Sequence, residues 1–314
     1  MILAVSGCLL GHKVRFDKGH KRDSFVMDEL SKYAEYISFC PEDLAFGSPR
    51  PSIRVVEKDN SEFIISNKTK EDLTTQLYES SKKDFQNISK HKLSGIILKS
   101  KSPSCGLGSS KVYLENGFAS GKSDGMFAKM CKEAYPLLPI EEEGRLCDAW
   151  LRENFIMQLF SYEKFENFKL DATLGKLVEF HKNHKFLLQA KDETIYRKLG
   201  NIVANHEQKD FADILDEYEF LYKSAIAKKS SIGKTRNVLE HIAGFLKKHL
   251  SKEEKVLLHE QINDCASKVV PMIVPLSTLK IYATKYKVSY ILQQSFLDPY
   301  PKELGLRSSV ESLK

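Results

Sequence analysis

The pattern of apolar and polar positions changes near the middle of the chain. Up to residue 140, short apolar runs alternate with amphipathic segments. The runs predict strands over residues 1–6, 36–39, 95–99 and 137–140. The segments between them predict helices over residues 24–34, 70–90 and 124–134. Strand and helix in alternation are typical of an α/β fold with a mostly parallel, three-layer sheet.

Two interruptions of this alternation are predicted from local composition. Residues 53–57 and 62–66 flank a polar segment and predict a β-hairpin. Residues 41–51 and 100–110 are rich in Pro, Gly or Ser, so they are predicted to be loops.

The second half of the chain has a different periodicity, because from residue 146 on apolar residues recur at helical spacing and strand signals nearly vanish. Helices are predicted over residues 148–160, 174–188, 192–203, 211–227, 236–249, 252–268 and 275–285, with a last turn near Gln293. The sequence therefore predicts a Rossmann-like α/β domain at residues 1–143 and an all-α domain at residues 144–314.

Length and composition limit the class of protein. A chain of 314 residues with 42% apolar content can bury two cores. No apolar stretch reaches the ~18 residues that a membrane span needs, and no basic region precedes the first apolar run, so a buried strand is expected there rather than a signal peptide. Six unevenly spaced cysteines are too few for a disulfide scaffold, which indicates a reducing, cytoplasmic setting.

The net charge of +6 is unevenly distributed. Residues 165–314 hold 24 Lys and Arg against 19 Asp and Glu, whereas residues 1–164 hold 24 against 23. Excess positive charge on the helical half suits a polyanionic partner such as RNA. Charge alone is explained equally well by a lysine-rich solvated surface.

Three cysteines, Cys8, Cys40 and Cys105, each come shortly after a predicted strand. If these strands are parallel members of one sheet, the three thiols meet at its carboxyl edge, where open α/β folds place ligands. Three thiolates can hold a soft metal centre and leave one coordination position free. Ordinary buried thiols and a zinc site completed by water are the alternatives. Cys131, Cys147 and Cys265 lie on predicted helices without polar companions, so core packing is expected for them.

The segments that carry the three thiols resemble those of the TudS-type thiouracil desulfidase family. They are Val5-Ser-Gly-Cys-Leu-Leu-Gly11, Cys40-Pro-Glu42 and Lys99-Ser-Lys-Ser-Pro-Ser-Cys-Gly106. The helical half resembles the YbgA-type domain in residues 180–186, 196–200 and 237–244, and also in 274–276 and 299–304. The fused arrangement resembles RudS-type desulfidases, which act on thiolated uridines in tRNA.

This resemblance implies a [4Fe–4S] cluster held by Cys8, Cys40 and Cys105, with one open iron acting as a Lewis acid. It also implies non-redox, hydrolytic desulfuration of thiouridine in tRNA to uridine with release of sulfide, with 4-thiouridine favoured over 2-thiouridine. A desulfidase of free thiouracil and a non-catalytic, cluster-containing RNA-binding protein are the alternatives. No membrane association is expected.

Polar residues near the thiols are the candidates for catalysis and binding. Attack by water needs a base, for which Glu42 is predicted, and Ser102 is predicted to orient water or substrate. Ser104 and Lys101 are predicted to bind the base edge or a phosphate. Arg15 and Asp17 are predicted to form the pocket wall. A cap near Cys40 is the alternative for Glu42, and a salt-bridged loop is the alternative for Arg15 and Asp17.

The helical half offers candidates for RNA contact. His181 and His184 share a helix face, where packed imidazoles or a phosphate contact are expected in preference to a metal. Basic residues beside an aromatic ring suit RNA backbone contact and base stacking. The predicted basic surfaces comprise Lys182, Lys185, Arg197 and Lys198 with Tyr196, and Lys247, Lys248 and His249. A tRNA partner is expected on this basis; solvated helix faces are the alternative for many of these side chains individually.

Overall fold

A computed structural model describes residues 1–205 and 207–314 and divides the chain into two compact units, Met1–Cys147 and Asp148–Lys314. The first unit is α/β and the second is helical. The predicted fold class is therefore confirmed. The structure places the division after Cys147, whereas the sequence pattern placed it after residue 143.

The N-terminal unit contains two four-stranded sheets. In chain order the strands are β1 (Ile2–Ser6), β2 (Glu35–Phe39), β3 (Ile53–Lys58), β4 (Ser61–Ser66), β5 (Gly95–Leu98), β6 (Ser110–Leu114), β7 (Ala119–Ser123) and β8 (Ile140–Glu142). The first sheet has the order β2-β1-β5-β8 and every pair in it is parallel. Ala4 of β1 lies opposite Ile37 and Ile96, which fixes the register at its centre.

The sequence of β1 and β5 explains their central position. Apart from Ile2, their apolar side chains are wholly buried, as near-continuous apolar runs in parallel sheets usually are. Because β2, β1 and β5 are adjacent and parallel, their carboxyl ends lie at one edge of the sheet.

The second sheet has the order β4-β3-β6-β7, with β3 and β6 parallel and the other two pairs antiparallel. The predicted hairpin is confirmed as β3 and β4. Its two-residue turn, Asp59 and Asn60, has φ values of 49° and 59°, a conformation that Asp and Asn tolerate well. Strands β6 and β7 were not predicted. Strand β7 is polar and mostly exposed, so its sequence lacks an alternation of apolar and polar residues.

The helices of this unit are α1 (Pro41–Phe46), α2 (Thr74–Ile88) and α3 (Met126–Ala134). Residues 41–51 are predicted to be a loop, and this prediction is wrong for residues 41–46, because they form α1. Pro41 occupies the first turn, where its missing N–H costs nothing, and Glu42 and Asp43 complement the helix dipole there. Within the helix predicted over residues 24–34, residues 24–32 are helical but irregular, with Phe25–Glu29 in π-helical and Leu30–Lys32 in 3₁₀ conformation.

The second unit consists of α4 (Ala149–Lys169), α5 (Leu174–Lys191), α6 (Glu193–Ala204), α7 (Phe211–Ala227), α8 (Ile232–Leu246), α9 (Lys252–Ala266), α10 (Ile273–Lys285) and the short α11 (Ser289–Leu292). Several begin at a polar cap, such as the capping box of Ser251 and Glu254 before α9. Phe165, Tyr218 and Tyr222 lie in a buried apolar cluster among α4–α7. Within the described residues, none of the helices is long and apolar enough to cross a bilayer.

His181 and His184 are packed imidazoles of this unit. The ring of His184 stacks on Phe180 with centroids 3.9 Å apart, and its Nδ1 lies 2.7 Å from the Phe180 carbonyl oxygen. His181 Nδ1 lies 3.1 Å from the Tyr218 hydroxyl. Burial lowers the pKa of His181 to about 4 and that of His184 to about 3.

Acidification is expected to destabilise the helical unit, because unfolding lets a buried neutral histidine take up a proton. The stability loss begins below the ordinary pKa of about 6.5 and continues toward the lowered folded-state value. For His184 the loss at pH 5 is about 2 kcal/mol. Urea titrations followed by Trp150, the sole tryptophan and a residue of this unit, measure the effect. His184→Asn should flatten the pH slope, and the exposed His241→Gln should not; an unchanged slope in His184→Asn would contradict the expectation.

Candidate functional site

The three predicted thiols lie in three segments at the carboxyl edge of the parallel sheet. Cys8 is in the 3₁₀ turn Gly7–Leu10 that directly follows β1. Cys40 lies between β2 and α1, and Cys105 lies in the loop after β5. All three line one cavity of about 390 Å³. The structure therefore brings together the cysteines that the strand pattern placed at this edge.

The three thiols are also neighbours electrostatically. Burial raises the pKa of Cys8, Cys40 and Cys105 to about 12 in each case. In addition, Cys40 raises the pKa of Cys8, Cys105 raises that of Cys40, and Cys8 raises that of Cys105. Each thiol thus interacts electrostatically with another of the three, as expected for thiols that line one cavity.

Two helices hold the cysteine segments in place. The Cys40 N–H donates to Asp84 Oδ2 of α2 at 2.9 Å. At the start of α3, the N–H groups of Phe127 and Ala128 donate to the Ser104 carbonyl oxygen at 2.8 and 3.1 Å. The Cys105 loop is therefore anchored by the first turn of α3.

Gly125 permits this anchoring, because a Cβ there would lie 2.5 Å from the Ser104 carbonyl carbon and 2.6 Å from its oxygen. Both atoms are backbone and cannot move aside cheaply. Gly125→Ala is expected to lower the free energy of unfolding of the α/β unit by about 1–3 kcal/mol and to displace Cys105. Urea unfolding followed by far-UV circular dichroism measures the first effect. Gly121→Ala, where nothing lies within 4 Å, is the matched control; equal stability of the two variants would contradict the steric explanation.

Glu42 occupies a defined position beside the thiols. Its Oε1 accepts hydrogen bonds from Ser102 Oγ at 2.8 Å and Ser104 Oγ at 2.9 Å. Ser104 Oγ lies 3.4 Å from Cys105 Sγ, and Ser102 Oγ accepts the Cys105 N–H at 3.2 Å. Glu42, Ser102 and Ser104 all line the cavity. The structure thus places three predicted site residues in one hydrogen-bonded group.

Arg50 completes this group and was missed by the sequence reasoning. Its side chain is buried, and Nη2 donates to Glu42 Oε2 at 3.1 Å. Nη1 donates to the carbonyl oxygens of Val14 and Gly47 at 3.0 and 2.8 Å. Arg50 therefore ties the carboxylate to the loops around it. The available signal was an arginine between two prolines shortly after the predicted base.

The remaining predicted site residues differ in position. Arg15 and Lys101 line the cavity. Asp17 is not among the described residues that line it; its carboxylate lies 3.6 Å from Arg15 Nε and accepts the Gly19 N–H at 3.0 Å. This is the salt-bridged loop that the sequence left open as the alternative.

The other three cysteines lie outside this cavity. Cys131 and Cys265 are buried, as predicted. The prediction for Cys147 was wrong, because it is exposed in a turn before α4 and so contributes to no core.

Each of the two units matches a known family. Residues 3–143 match the family described as 2-thiouracil desulfurase, and residues 185–301 match DUF1722, a family of proteins of unknown function. The N-terminal unit thus carries a 2-thiouracil desulfurase family domain, and the helical unit carries a DUF1722 domain. The predicted fusion of a TudS-type and a YbgA-type domain is confirmed.

Individual relatives each resemble about half of this chain. The uncharacterized protein YbgA of Escherichia coli (strain K12) is 24% identical over 159 residues, which span 50% of this chain and 94% of YbgA. The uncharacterized protein YbbK of Bacillus subtilis (strain 168) is 28% identical over 142 residues, 42% of this chain and 91% of YbbK. Among solved structures, the [4Fe-4S]-dependent thiouracil desulfidase TudS is similar at 23% identity with a TM-score of 0.38, covering 46% of this chain and 92% of TudS.

Proposed function

We propose that this protein removes sulfur from thiolated uridine in tRNA by a hydrolytic, non-redox reaction in the cytoplasm. One observation carries the proposal: three thiols and the oriented carboxylate of Glu42 line a single cavity in a 2-thiouracil desulfurase family domain. Water supplies the oxygen of the uridine product, and the sulfur leaves as sulfide. No electrons are needed, because C=S and C=O carbons have the same oxidation level.

Cys8, Cys40 and Cys105 are the residues that would hold a [4Fe–4S] cluster. Within the described part of the chain, no group of three or more His, Cys, Asp or Glu side chains fits a single metal ion. A cubane is larger than an ion, so its ligands stand further apart, and three soft sulfur donors around one cavity fit it. When bound through three thiolates, such a cluster supplies one iron as a soft Lewis acid for the thiocarbonyl sulfur.

The side chains of this cavity have separate tasks in the proposed reaction. Glu42 accepts a proton from the attacking water and returns it to the departing sulfur. Ser102 and Ser104, which hold Glu42 Oε1, orient water and the base edge. Arg50 holds the second carboxylate oxygen, so the base cannot swing away from the cavity. Because these hydrogen bonds orient the carboxylate before substrate arrives, little conformational freedom has to be lost when it acts as the general base.

The helical unit supports tRNA as the substrate. Lys182 Nζ lies 5.9 Å from the centroid of the Tyr290 ring, and Lys285 Nζ lies 4.9 Å from that of Tyr286. The exposed His249 stacks on Tyr286 with centroids 5.2 Å apart. Cations beside aromatic faces suit phosphate contact and base stacking. The target uridine, for which we favour 4-thiouridine, would have to leave its stack to enter the cavity.

Free thiouracil is the second candidate substrate, and the description of the matching family favours it. A free base needs only the cavity, and the helical unit would then serve another purpose.

The deciding experiment is anaerobic reconstitution of the full chain, followed by iron and sulfide analysis and assays on thiolated tRNA and free thiouracil. A brown protein with broad absorption near ~400 nm that converts thiouridine in tRNA to uridine is expected. Turnover of thiouracil alone would select the second candidate. Iron-free protein, or a loaded protein that releases sulfide from neither substrate, would overturn the proposal.

A further inference from the structure

The second sheet of the α/β unit separates its charges between its two faces. Side chains alternate along each strand, so Val55, Ile64 and Val112 share one face, where they pack with Leu77 of α2. We call the opposite side the outer face. Its residues are Arg54, Val56 and Lys58 of β3, Ser61, Phe63 and Ile65 of β4, Lys111 and Tyr113 of β6, and Ala119 and Lys122 of β7.

The outer face is cationic. Among the described residues of the four strands, it holds four Lys or Arg side chains and no carboxylate. The carboxylates of β3 and β4, Glu57 and Glu62, are on the packed side. Lys58 is neutralised by Glu115 of the β6–β7 turn, at 3.1 Å. Three cations therefore remain on this face.

These three cations, Arg54, Lys111 and Lys122, form a row across the sheet. Lys111 lies directly opposite Lys122, and the parallel register of β3 and β6 places Arg54 beside Lys111. Because neighbouring strands lie ~4.8 Å apart, the three Cα atoms fall within ~10 Å. Because β7 is the edge strand, Lys122 also borders the groove between this sheet and α3.

The row carries positive charge that nothing in the described part of the chain offsets. Lys111 and Lys122 are exposed, and none of the three cations has an ion pair among residues 1–205 and 207–314. Like charges directly opposite each other in an antiparallel pair destabilise a sheet. A bound anion would relieve this repulsion, so the row suits a polyanion.

Aromatic rings lie beside the row on the same face. Val56 is opposite Phe63 on one side and Tyr113 on the other, and it is buried while both rings remain partly exposed. The Arg54 guanidinium carbon lies 5.5 Å from the centroid of the Tyr113 ring. Rings on an open sheet beside cations suit RNA, because phosphates use the cations and unpaired bases use the rings.

We propose that the outer face binds a single-stranded segment of RNA: Arg54, Lys111 and Lys122 contact its phosphates, and Phe63 and Tyr113 stack on its bases. None of these five described residues lines the cysteine cavity, so the inference goes beyond the proposed desulfuration. It rests on the proposed function only for the identity of the RNA as tRNA.

The first test measures binding of a fluorescently labelled, unmodified tRNA transcript to the full chain without a cluster, by anisotropy at several salt concentrations. Lys111→Gln with Lys122→Gln should raise Kd about tenfold and reduce the slope of log Kd against log salt by about 1.4, since each phosphate of a single strand contributes ~0.7. Phe63→Leu should raise Kd without changing the slope, because a neutral ring releases no counterions.

Lys82→Gln with Lys83→Gln is the matched control, because it removes the same charge from exposed positions of α2, the helix on the packed side. It should keep both Kd and slope. Equal effects of the two double variants, or no binding of the transcript by the wild type, would overturn the proposal. An unchanged Kd in Phe63→Leu would overturn the stacking contacts.

A second test opposes binding to stability. Lys122→Glu places a carboxylate opposite Lys111, so the urea midpoint of the α/β unit, followed by far-UV circular dichroism, should rise while RNA binding weakens further than in Lys122→Gln. Wild-type RNA binding by Lys122→Glu would overturn the proposal. So would loss of binding to phosphatidylserine vesicles, but not to RNA, in the Lys111→Gln and Lys122→Gln double variant, because it would identify a membrane surface.

Neither test uses a thiolated substrate or a cluster. If the reconstituted chain releases sulfide from no thiolated compound, the proposed desulfuration fails, while the anisotropy measurements still decide whether the outer face binds RNA.

Discussion

Cys105→Ser should lose iron and desulfuration together, with sulfide release falling to the background rate. Serine is a hard oxygen donor, so only two thiolates remain to hold a cluster. Cys105 is also the most enclosed of the three proposed ligands, and water cannot easily take the place of its sulfur. The measurements are iron and sulfide per chain after anaerobic reconstitution, absorbance near ~400 nm, and sulfide released from thiolated tRNA.

Cys147→Ser is the matched control for this loss. Cys147 is exposed and lies outside the cavity, so its variant should load and react as the wild type does. Iron loading of Cys105→Ser equal to that of the wild type would remove Cys105 from the ligand set and with it the proposed cluster site.

Glu42→Gln should retain the cluster but react about 10²–10⁴-fold more slowly, the usual contribution of a general acid–base group. Glutamine has nearly the size of glutamate and can still accept from Ser102 and Ser104 through its amide oxygen. It cannot accept a proton from water at neutral pH. Single-turnover assays on thiolated tRNA, together with iron analysis of the same sample, measure the two quantities separately.

Asp43→Asn is the control for Glu42→Gln, because Asp43 is the neighbouring carboxylate of the same helical turn and also lies near Arg50, at 3.7 Å. It should leave the rate within about twofold of the wild type, as expected for a group outside the chemistry. Parallel loss of iron and activity in Glu42→Gln would give Glu42 a structural role instead.

The parallel sheet and its three cysteines were predictable because burial imposes a strong pattern. Strands β1 and β5 are covered on both faces, so their sequences are almost uninterrupted apolar runs. A cysteine that closely follows such a run lies near the carboxyl edge of the sheet once the strands are parallel. Helical periodicity likewise predicted the helices of the second unit, although α4 extends to Lys169, nine residues beyond its predicted end at residue 160.

The missed features have weak local patterns. Helix α1 is only six residues long and lies in a segment with three prolines, so Pro41 and the acidic residues of its first turn were its sequence signals. Strand β7 is polar and forms the edge of its sheet beside β6. Its strand conformation therefore depends on pairing with β6 and not on an apolar pattern in its own sequence. Arg50 acquires its role through Glu42, eight residues earlier, and through loop carbonyl groups that no spacing in the sequence indicates.

The three proposed sulfur ligands belong to segments that are separated by 32 and 65 residues and are brought together by strand pairing. An emerging nascent chain therefore has no binding site until β5 has docked beside β1 and α3 has anchored the last loop. Insertion of iron and inorganic sulfide into the proposed site would therefore follow folding of the α/β unit rather than guide it. On the proposed function, the cluster would be transferred to an already folded apoprotein, and a cell short of iron would accumulate that apoprotein in folded form.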